Sequence, residues 1–423
     1  MDARSPELVS TPFRLAAVSR TWRKVALRTP AIWSRIIVAL TCEWDVDRCE
    51  RLAAAVSHQT ARAAAYPTTL AIAIDTHIIS PVEPHSGIQK LLDVTAPVVA
   101  RCTELTVVFV KTAGSVSFEP GQQVPRQIAD TSINLSLLRL IYSDDTDMFN
   151  APLNDIVIPM SSAISHSLHH LVIAGHFLPI VPQDAVWEQL TELELEVPEM
   201  VLPSSVLVHL LQACPQLHSL NMDALLLDAR GGSGEIRHEK LTSLELTIGS
   251  IELDIFPSRF LLPAAQTVGM WFAESIYDAE TPVLPSSVQN LLKVKVVACT
   301  LRNSDQVIQL SFREIEADEA LAIELIAHDK RLQTLRFHEC HLHASFWKLL
   351  QGALPSLTEL QCTQTSFLDR EVDEKALRDF VQPRRTTGPS RCEDGARPAQ
   401  LHTIMVTLYN PQPDQIATPL HIE

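Results

Sequence analysis

The sequence predicts an α/β protein in which a short strand and a helix alternate along the chain. Three observations predict this class. The register L-x-x-L-x-L recurs many times, as in "LTELEL" and "LTSLEL". Neighbouring copies such as those at 168, 190, 217, 241 and 265 begin 22 to 27 residues apart. The stretches between copies, such as "VLVHLLQACPQL", "EALAIELIAHDKRL" and "FWKLLQGALPSL", carry apolar residues at helical spacing.

This period and register are those of leucine-rich repeats. We therefore expect residues 67–423 to form a solenoid, a horseshoe of short parallel strands with helices on its convex side. In each copy the leucines should point into the core, and the residues between them should lie on the concave face. The copies are "LSLLRL" at 135, "LHHLVI" at 168, "LTELEL" at 190, "LHSLNM" at 217, "LTSLEL" at 241, "AQTVGM" at 265, "LLKVKV" at 291, a weaker "VIQLSF" at 307, "LQTLRF" at 332, "LTELQC" at 357 and "LHTIMV" at 401.

The stretch "RLQTLRFHECHLHASF" (331–346) concentrates histidine, glutamate and cysteine, which are metal-ligand residue types. The repeat explains it better, because the pattern continues x-x-N/C-x-L after the strand. Two copies fill these slots, with Leu332, Leu335, Phe337, Cys340 and Leu342 in one and Leu291, Val294, Val296, Cys299 and Leu301 in the other. His341 and His343 should face out, and position 342 excludes an HExxH motif. We expect no metal and no cofactor.

The register also predicts which side chains line the concave face. Glutamates lead in the 190 copy and basic residues in the later copies, so the face should run from acidic to basic. We expect a target protein of matching charge to bind there. The residues predicted to bind it are Glu192, Glu194, Glu196, Lys293, Lys295, Arg336 and His338; Ser219, Asn221, Asp223, Ser243, Glu245, Thr247 and Thr334 are further concave positions. The alternative is a solvated face without a partner.

Residues 11–38 differ in character from the repeats. Leu15, Val18, Trp22, Val25 and Ala26 recur at helical spacing. A second element should follow, with Thr29 as N-cap, Pro30 in its first turn, and an apolar side from Ile32, Trp33 and Ile36. So short a helical pair is expected to dock on the repeats as a terminal cap, on a partner, or on both.

The run "RLAAVSRTWRKVALRTPAIWSRI" resembles the second half of an F-box domain, whose usual form is L-x-x-V-C-x-x-W-R-x-[IV]-A-L-x-T-P-x-L-W. Ser19 stands in place of the cysteine and Ile32 in place of the last leucine. Of the helix that ordinarily precedes this run, only Pro6, Glu7 and Leu8 have a counterpart. Residues 1–40 are thus a partial F-box-like segment. Residues 41–66 look like the family's connecting helix, which leads to a Pro-Leu strand.

The resemblance implies the substrate-recognition subunit of a cullin–RING ubiquitin ligase of the SCF type. Such a subunit has no catalytic activity of its own. It would bind the Skp adaptor through the F-box-like helices, and our choice of contact residues is Leu15, Val18, Trp22, Val25, Pro30 and Trp33. For Trp22 and Trp33 a purely core role is equally open. One alternative is an interaction scaffold that has lost adaptor binding. Another is an enzyme with a site assembled from distant residues, which no local motif supports.

Composition limits the other functional classes. The chain has 423 residues, 46% hydrophobic, and a formal net charge of −16. Its acidic body argues against a nucleic-acid partner, because phosphate binding needs clustered cations. Eight cysteines dispersed over a long chain, no signal peptide and no membrane-length apolar run predict a cytoplasmic or nuclear protein without a membrane partner. Residues 381–400, which lack periodicity, are predicted to form a mobile insertion.

Overall fold

The computed structural model describes residues 11–40, 46–75, 94–95, 97–111, 135–144, 154–157, 167–175, 177–180, 187–227, 236–248, 260–272, 285–304, 306–328, 331–367, 369–385 and 400–408. The chain divides into two compact units. The N-terminal unit comprises Met1–Pro198 and Gln212–Gln216, and the C-terminal unit comprises Glu199–Leu211 and Leu217–Glu423. Residues 1–10, which include the predicted remnant at Pro6, Glu7 and Leu8, lie outside the described residues.

The N-terminal unit begins with helices and continues as a parallel sheet. Its elements are α1 (Thr11–Val18), α2 (Arg20–Arg28), a 3-10 turn (Pro30–Trp33), β1 (Arg35–Leu40), α3 (Val46–Ala63), β2 (Thr68–Asp75), β3 (Cys102–Lys111), β4 (Leu137–Asp144), β5 (Asn154–Val157), β6 (His170–Ala174), β7 (Phe177–Ile180) and the start of β8 (Glu192–Pro203). The order in the sheet is β1-β2-β3-β4-β6-β8, and every pairing is parallel. Strands β5 and β7 form a second, two-stranded parallel sheet.

The C-terminal unit repeats the same arrangement with more helices. Its elements are the end of β8, most of α4 (Ser204–Ala213), β9 (Ser219–Leu227), β10 (Ile236–Arg237), β11 (Ser243–Ile248), β12 (Phe260–Leu261), β13 (Thr267–Phe272), α5 (Ser286–Arg302), β14 (Gln309–Arg313), β15 (Glu316–Ala317), α6 (Glu319–His328), β16 (Thr334–His338), β17 (His341–Leu342), α7 (Ala344–Leu350), β18 (Glu359–Phe367), α8 (Arg370–Arg385) and β19 (Thr403–Leu408). The main strands pair in parallel in the order β9-β11-β13-β14-β16-β18-β19.

In both units, then, each main strand lies beside the next main strand of the chain. A parallel neighbour requires the chain to cross back between the two strands. A stack of such strand-and-return units is an open α/β fold. Its strand order is the one that a solenoid needs. The predicted helices at 206–217, 319–332 and 346–357 are present as α4, α6 and α7, and the connecting helix is α3.

Most apolar positions of the repeat register are buried. In β16 and β18, for example, Leu335, Phe337, Leu360 and Cys362 are fully buried, and the residues between them are half-buried. Alternation of this kind arises because successive side chains of a strand point to opposite faces. An aromatic cluster extends this core towards the helices, with ring centroids 5.5 Å apart for Phe337 and Phe346 and 4.9 Å apart for Phe346 and Trp347.

One predicted repeat copy is wrong. The segment "LLKVKV" at 291 is not a strand but the centre of α5. The next strand of the sheet is instead β14, which contains the weaker copy "VIQLSF". In α5 the buried side chains Asn290, Val294, Val297 and Leu301 follow each other at intervals of three or four residues. That spacing buries one face of a helix, and it overrides the β-branched composition of the segment.

Two further expectations need a change. Cys299 was placed in the turn after a strand, but it lies in the last turns of α5. Residues 381–385 were assigned to a mobile insertion, but they form the end of α8, which contains Pro383. Residues 386–399 lie outside the described residues. None of the helices in the described part of the chain is both long and apolar enough to cross a membrane.

Candidate functional site

The N-terminal helices have a small core centred on Trp33. This side chain is 0% exposed and packs with Ala26 and Ala63. The ring of Phe13 meets it edge-on at 5.3 Å, and the Arg62 guanidinium lies 4.5 Å from its centroid. Its indole N–H donates a hydrogen bond of 2.7 Å to the carbonyl oxygen of Ala26. Trp33 therefore holds the segment together, which is the core role that the sequence left open beside adaptor contact.

The same helices expose a second set of apolar side chains. The exposed fractions are 67% for Val18, 51% for Trp22, 50% for Val25 and 48% for Leu27. Trp22 and Val25 are three residues apart in α2, so they are neighbours on the helix surface. Ser19 begins α2 by accepting a hydrogen bond of 3.1 Å from the backbone N–H of Trp22. An exposed tryptophan beside valine is the type of residue that supplies binding energy in protein interfaces.

The predicted adaptor residues are thus divided between surface and interior. Val18, Trp22 and Val25 are exposed, whereas Leu15 and Pro30 are half-buried. The second predicted helix is only the 3-10 turn, because the chain enters β1 directly after Trp33. Strand β1 pairs in parallel with β2, and Gln59 of α3 donates a hydrogen bond of 2.7 Å to the carbonyl of Arg35. The segment is therefore attached to the edge of the sheet in its own unit.

In the N-terminal unit, the predicted acidic residues lie on β8 next to a histidine. Glu192 and Glu196 are exposed and Glu194 is half-buried, while Leu193 and Leu195 between them are buried. On the neighbouring strand β6, His170 Nδ1 lies 3.3 Å from a Glu192 oxygen, and Nε2 lies 3.0 Å from a Glu194 oxygen. Both contacts are hydrogen bonds only when both ring nitrogens carry protons. Sequence analysis missed this imidazole, although it occupies the x position of "LHHLVI".

In the C-terminal unit, the non-buried side of β9, β11, β13, β14, β16 and β18 forms a polar surface, which we call the open face. Strand register places its central row in one line: Asn221, Glu245, Gly269, Ser311, Arg336 and Gln361. The row on one side contains Thr247, Trp271, Arg313, His338 and Thr363. The predicted target residues Arg336 and His338 therefore lie on this face.

Most charges of the open face are paired with each other. Arg313 Nε lies 2.8 Å from a Glu339 oxygen, and Arg336 lies 3.3 Å from a Glu359 oxygen. His338 Nδ1 is 2.8 Å from the Thr363 hydroxyl. Of the basic residues on which the predicted acidic-to-basic gradient depended, Arg336 therefore has an acidic partner on the same face.

The two predicted lysines do not lie on this face. Lys293 and Lys295 belong to α5, so their assignment as strand residues of a target-binding surface is wrong. The Lys293 ammonium donates a hydrogen bond of 2.5 Å to the carbonyl of Glu314 and lies 5.5 Å from the Phe272 ring centroid. Lys295 is exposed on the helix. The helical spacing of the buried residues in α5 was the signal that could have prevented this error.

The fold buries part of the histidine- and cysteine-rich stretch and exposes the rest. Cys340 is buried, and its thiol lies 3.1 Å from the carbonyl oxygen of His338. Burial raises its pKa to about 11, so the thiol stays protonated at neutral pH. His341 is exposed and is 2.5 Å from the Ser366 hydroxyl. Among the described residues, no three histidine, cysteine, aspartate or glutamate side chains are grouped so that they could hold a metal ion.

Comparison with the known protein families and with curated proteins finds no match for this chain. The interpretation of the two surfaces therefore depends on their geometry and on the sequence resemblance described above.

Proposed function

We propose that this chain is the substrate-recognition subunit of an SCF-type ubiquitin ligase. In this proposal the strand-and-helix units are leucine-rich repeats, and α1, α2 and the 3-10 turn are the second half of an F-box. The helices bind the Skp adaptor, and the polar strand surface binds a target protein. The subunit catalyses nothing itself. It increases the effective concentration of the target beside a ubiquitin-loaded enzyme.

The observation that carries this proposal is that one of the two tryptophans is buried and the other is exposed. Trp33 fills the core of the helical segment, so the segment keeps its shape without a partner. Trp22 is left half exposed beside Val25 on a helix rich in arginine and lysine. Exposed aromatic anchors on a supported helix are typical of binding surfaces. The order of the parallel strands supports the proposed target binding, since a stack of strands presents a continuous row of variable side chains.

The test is a pulldown of the full chain with purified Skp adaptor. We expect Trp22→Ala to weaken adaptor binding by about tenfold or more, because an interface tryptophan commonly contributes ~2 kcal/mol. Tyr66→Ala is the matched control, since the Tyr66 side chain is also 51% exposed and lies in the same unit. Tyr66→Ala should leave adaptor binding unchanged.

The alternative function makes the opposite prediction in this experiment. A chain that does not bind the adaptor, and whose Trp22→Ala variant behaves as the original does, is better described as a non-catalytic interaction scaffold. Ubiquitin transfer to a bound target in the reconstituted ligase then provides a second criterion. Transfer that depends on this chain supports the receptor function, and its absence in an adaptor-bound complex would refute it.

A further inference from the structure

Strand β19 lies at the end of the sheet in the C-terminal unit. It pairs with β18, and no other strand in the described part of the chain pairs with it. The backbone N–H of Thr403 donates to the carbonyl oxygen of Thr358 at 3.3 Å, so Thr403 faces β18. Backbone groups alternate in direction along a strand, so Ile404 and Val406 direct their N–H and C=O groups to the other side. That side of β19 is a row of backbone donors and acceptors that no described strand occupies.

The side chains of β19 are also less covered than those of the inner strands. Strand register places Ile404 in one row with Leu335 and Leu360. Both leucines are 0% exposed, whereas Ile404 is only half-buried. Met405, on the opposite face of the strand, is 44% exposed. A core side chain is fully covered when strands lie on both sides of it, and β18 covers Ile404 from one side only.

The sequence of β19, TIMVTL, lacks the residues that ordinarily protect the edge of a sheet. It contains no charged residue, no proline and no glycine. Proteins use charged residues and proline at such edges to prevent pairing with another chain. Strand β1 of the N-terminal unit differs, because it begins with the exposed Arg35, and its Ile36 and Val38 are buried. The edge of β19 is therefore suited to accept a further strand.

The residues of β19 are nearly symmetric about Met405. Threonine lies at both 403 and 407, and β-branched apolar residues lie at both 404 and 406. In an antiparallel pairing centred on Met405, Thr403 lies opposite Thr407 of the second copy, and Ile404 lies opposite Val406 of the second copy. Pairs of threonines and pairs of β-branched side chains stabilise neighbouring strands. The symmetry thus favours pairing of β19 with a second copy of itself.

The direction of the backbone groups fits the same register. Ile404 and Val406 are the residues directed to the free edge, and they lie opposite each other in this pairing. Each such pair can exchange two backbone hydrogen bonds. Met405 then occupies the site between them, where opposite Cα atoms are about 4.5 Å apart and side chains are closest. The two exposed methionines would cover each other at the two-fold axis.

The charge of the chain is compatible with association at this edge. The formal net charge is −16, so two copies repel each other when charged surfaces meet. Strand β19 contains no charged residue, so its pairing places no like charges directly opposite each other.

We propose that two copies of this chain associate by antiparallel pairing of their β19 strands, which continues the sheet across a two-fold axis. The inference is independent of the proposed function, because it uses neither the adaptor nor the target. A ladder of six residues is small beside the ~1,600 Å² of a standard interface, so we expect the dimer to dissociate at concentrations on the order of 10 μM.

The test is the molar mass of the full chain, measured by light scattering from about 1 to 200 μM, a range that spans this dissociation. We expect the mass to rise from that of one chain to that of two. Met405→Lys should abolish the rise, because it places two like charges opposite each other at the axis. Since Met405 is exposed in the single chain, the variant should unfold at the same temperature as the original.

Leu349→Lys is the matched control. Leu349 is 38% exposed and lies on α7 of the same unit, so this substitution adds the same charge to a helix instead of the edge strand. The rise in mass should persist in this variant.

Met405→Cys tests the register. Opposite Cα atoms at about 4.5 Å lie within the range that a disulfide bridges. Oxidation of the two thiols by diamide should therefore join two chains covalently, as seen on a non-reducing gel. The original chain and Leu349→Cys, treated in the same way, should stay separate.

A chain that stays monomeric at every concentration would overturn the proposal, and so would a dimer that Met405→Lys does not weaken. A dimer that Met405→Lys dissociates but that Met405→Cys does not crosslink would mean that β19 meets a different segment of the second copy. That result would overturn the two-fold pairing of β19.

Discussion

The N-terminal helices and the open face of the C-terminal unit are opposite kinds of surface. The helices expose Val18, Trp22 and Val25 above a core that contains Trp33. The open face exposes almost no large apolar side chain, and most of its charges contact each other. Apolar anchors contribute binding energy by burial, whereas charges and small residues contribute selectivity. The two surfaces therefore differ in chemistry: the first is apolar and the second is polar and largely charge-paired.

The largest expected effect distinguishes core from surface within the N-terminal helices. Trp33→Ala should lower the free energy of unfolding by about 3–5 kcal/mol, because it leaves a cavity and removes a buried hydrogen bond. Trp22→Ala should change it by less than about 1 kcal/mol, as a surface substitution does. Urea denaturation followed by circular dichroism measures both. Similar losses for the two variants would mean that Trp22 is also part of the core.

The C-terminal unit contains a polar anchor that can be compared with Trp33. Asp373 at the start of α8 is 4% exposed, and its carboxylate accepts hydrogen bonds from the backbone N–H of Ala344 at 2.5 Å and of Asp369 at 2.9 Å. Asp373→Ala leaves two donors without an acceptor, so we expect a loss of about 1.5–3 kcal/mol. The same denaturation experiment applies. Asp379→Ala, an exposed position on the same helix, is the control and should cost little.

Glu245→Gln should have a smaller effect of opposite sign. The native pKa of Glu245 is above its usual value of 4.5. The native state therefore binds more protons than the unfolded state between 4.5 and the native pKa, and stability falls as pH rises through that window. Asp223 lies on the neighbouring strand β9, and Arg313, Arg336 and Glu359 lie farther along the same sheet; the substitution keeps all four charged groups. The variant should be more stable than the original at pH 7 and lose this advantage at pH 4.

The smallest effect is expected from the ion pair on the open face. Arg336 and Glu359 lie 3.3 Å apart and are 39% and 26% exposed. A double-mutant cycle with Arg336→Gln and Glu359→Gln should give a coupling of about 0.2–1 kcal/mol, since solvent and salt screen such a pair. A coupling energy that is unchanged at 1 M salt would contradict this expectation, because it would mean that salt does not screen the pair.

The sequence predicted the strands correctly where the L-x-x-L-x-L register recurs at the spacing of the repeat. Leu332, Leu335 and Phe337 repeat the register of earlier copies, and all three are buried around β16. It failed at 291, because "LLKVKV" satisfies the strand pattern as well as a helical one. The two are separated by the burial of Asn290 and Val297, which lie outside the copied pattern, and by the exposure of Leu291, which the strand pattern would bury.

The candidate site was predicted in outline and not in detail. The register correctly placed Glu245 and Arg336 on the same face, since side chains alternate along a strand. It gave no indication that Arg336 contacts Glu359 or that Glu245 makes no hydrogen bond with the residues that the structure describes. The glycine of "TVGMWF" was the available signal, because a glycine inside a strand often marks the close approach of another group.

The sequence by itself determined the strand-and-helix alternation, the inward leucines and the helical character of the N-terminal segment, because these follow from periodicities of two and 3.6 residues. Tertiary structure decided the rest. Trp22 and Trp33 are the same residue type eleven positions apart, and only the packing of Phe13, Ala26 and Ala63 makes one core and the other surface. The pairing of charges across strands depends on contacts between side chains about 25 positions apart in the sequence. No local sequence pattern predicts these contacts.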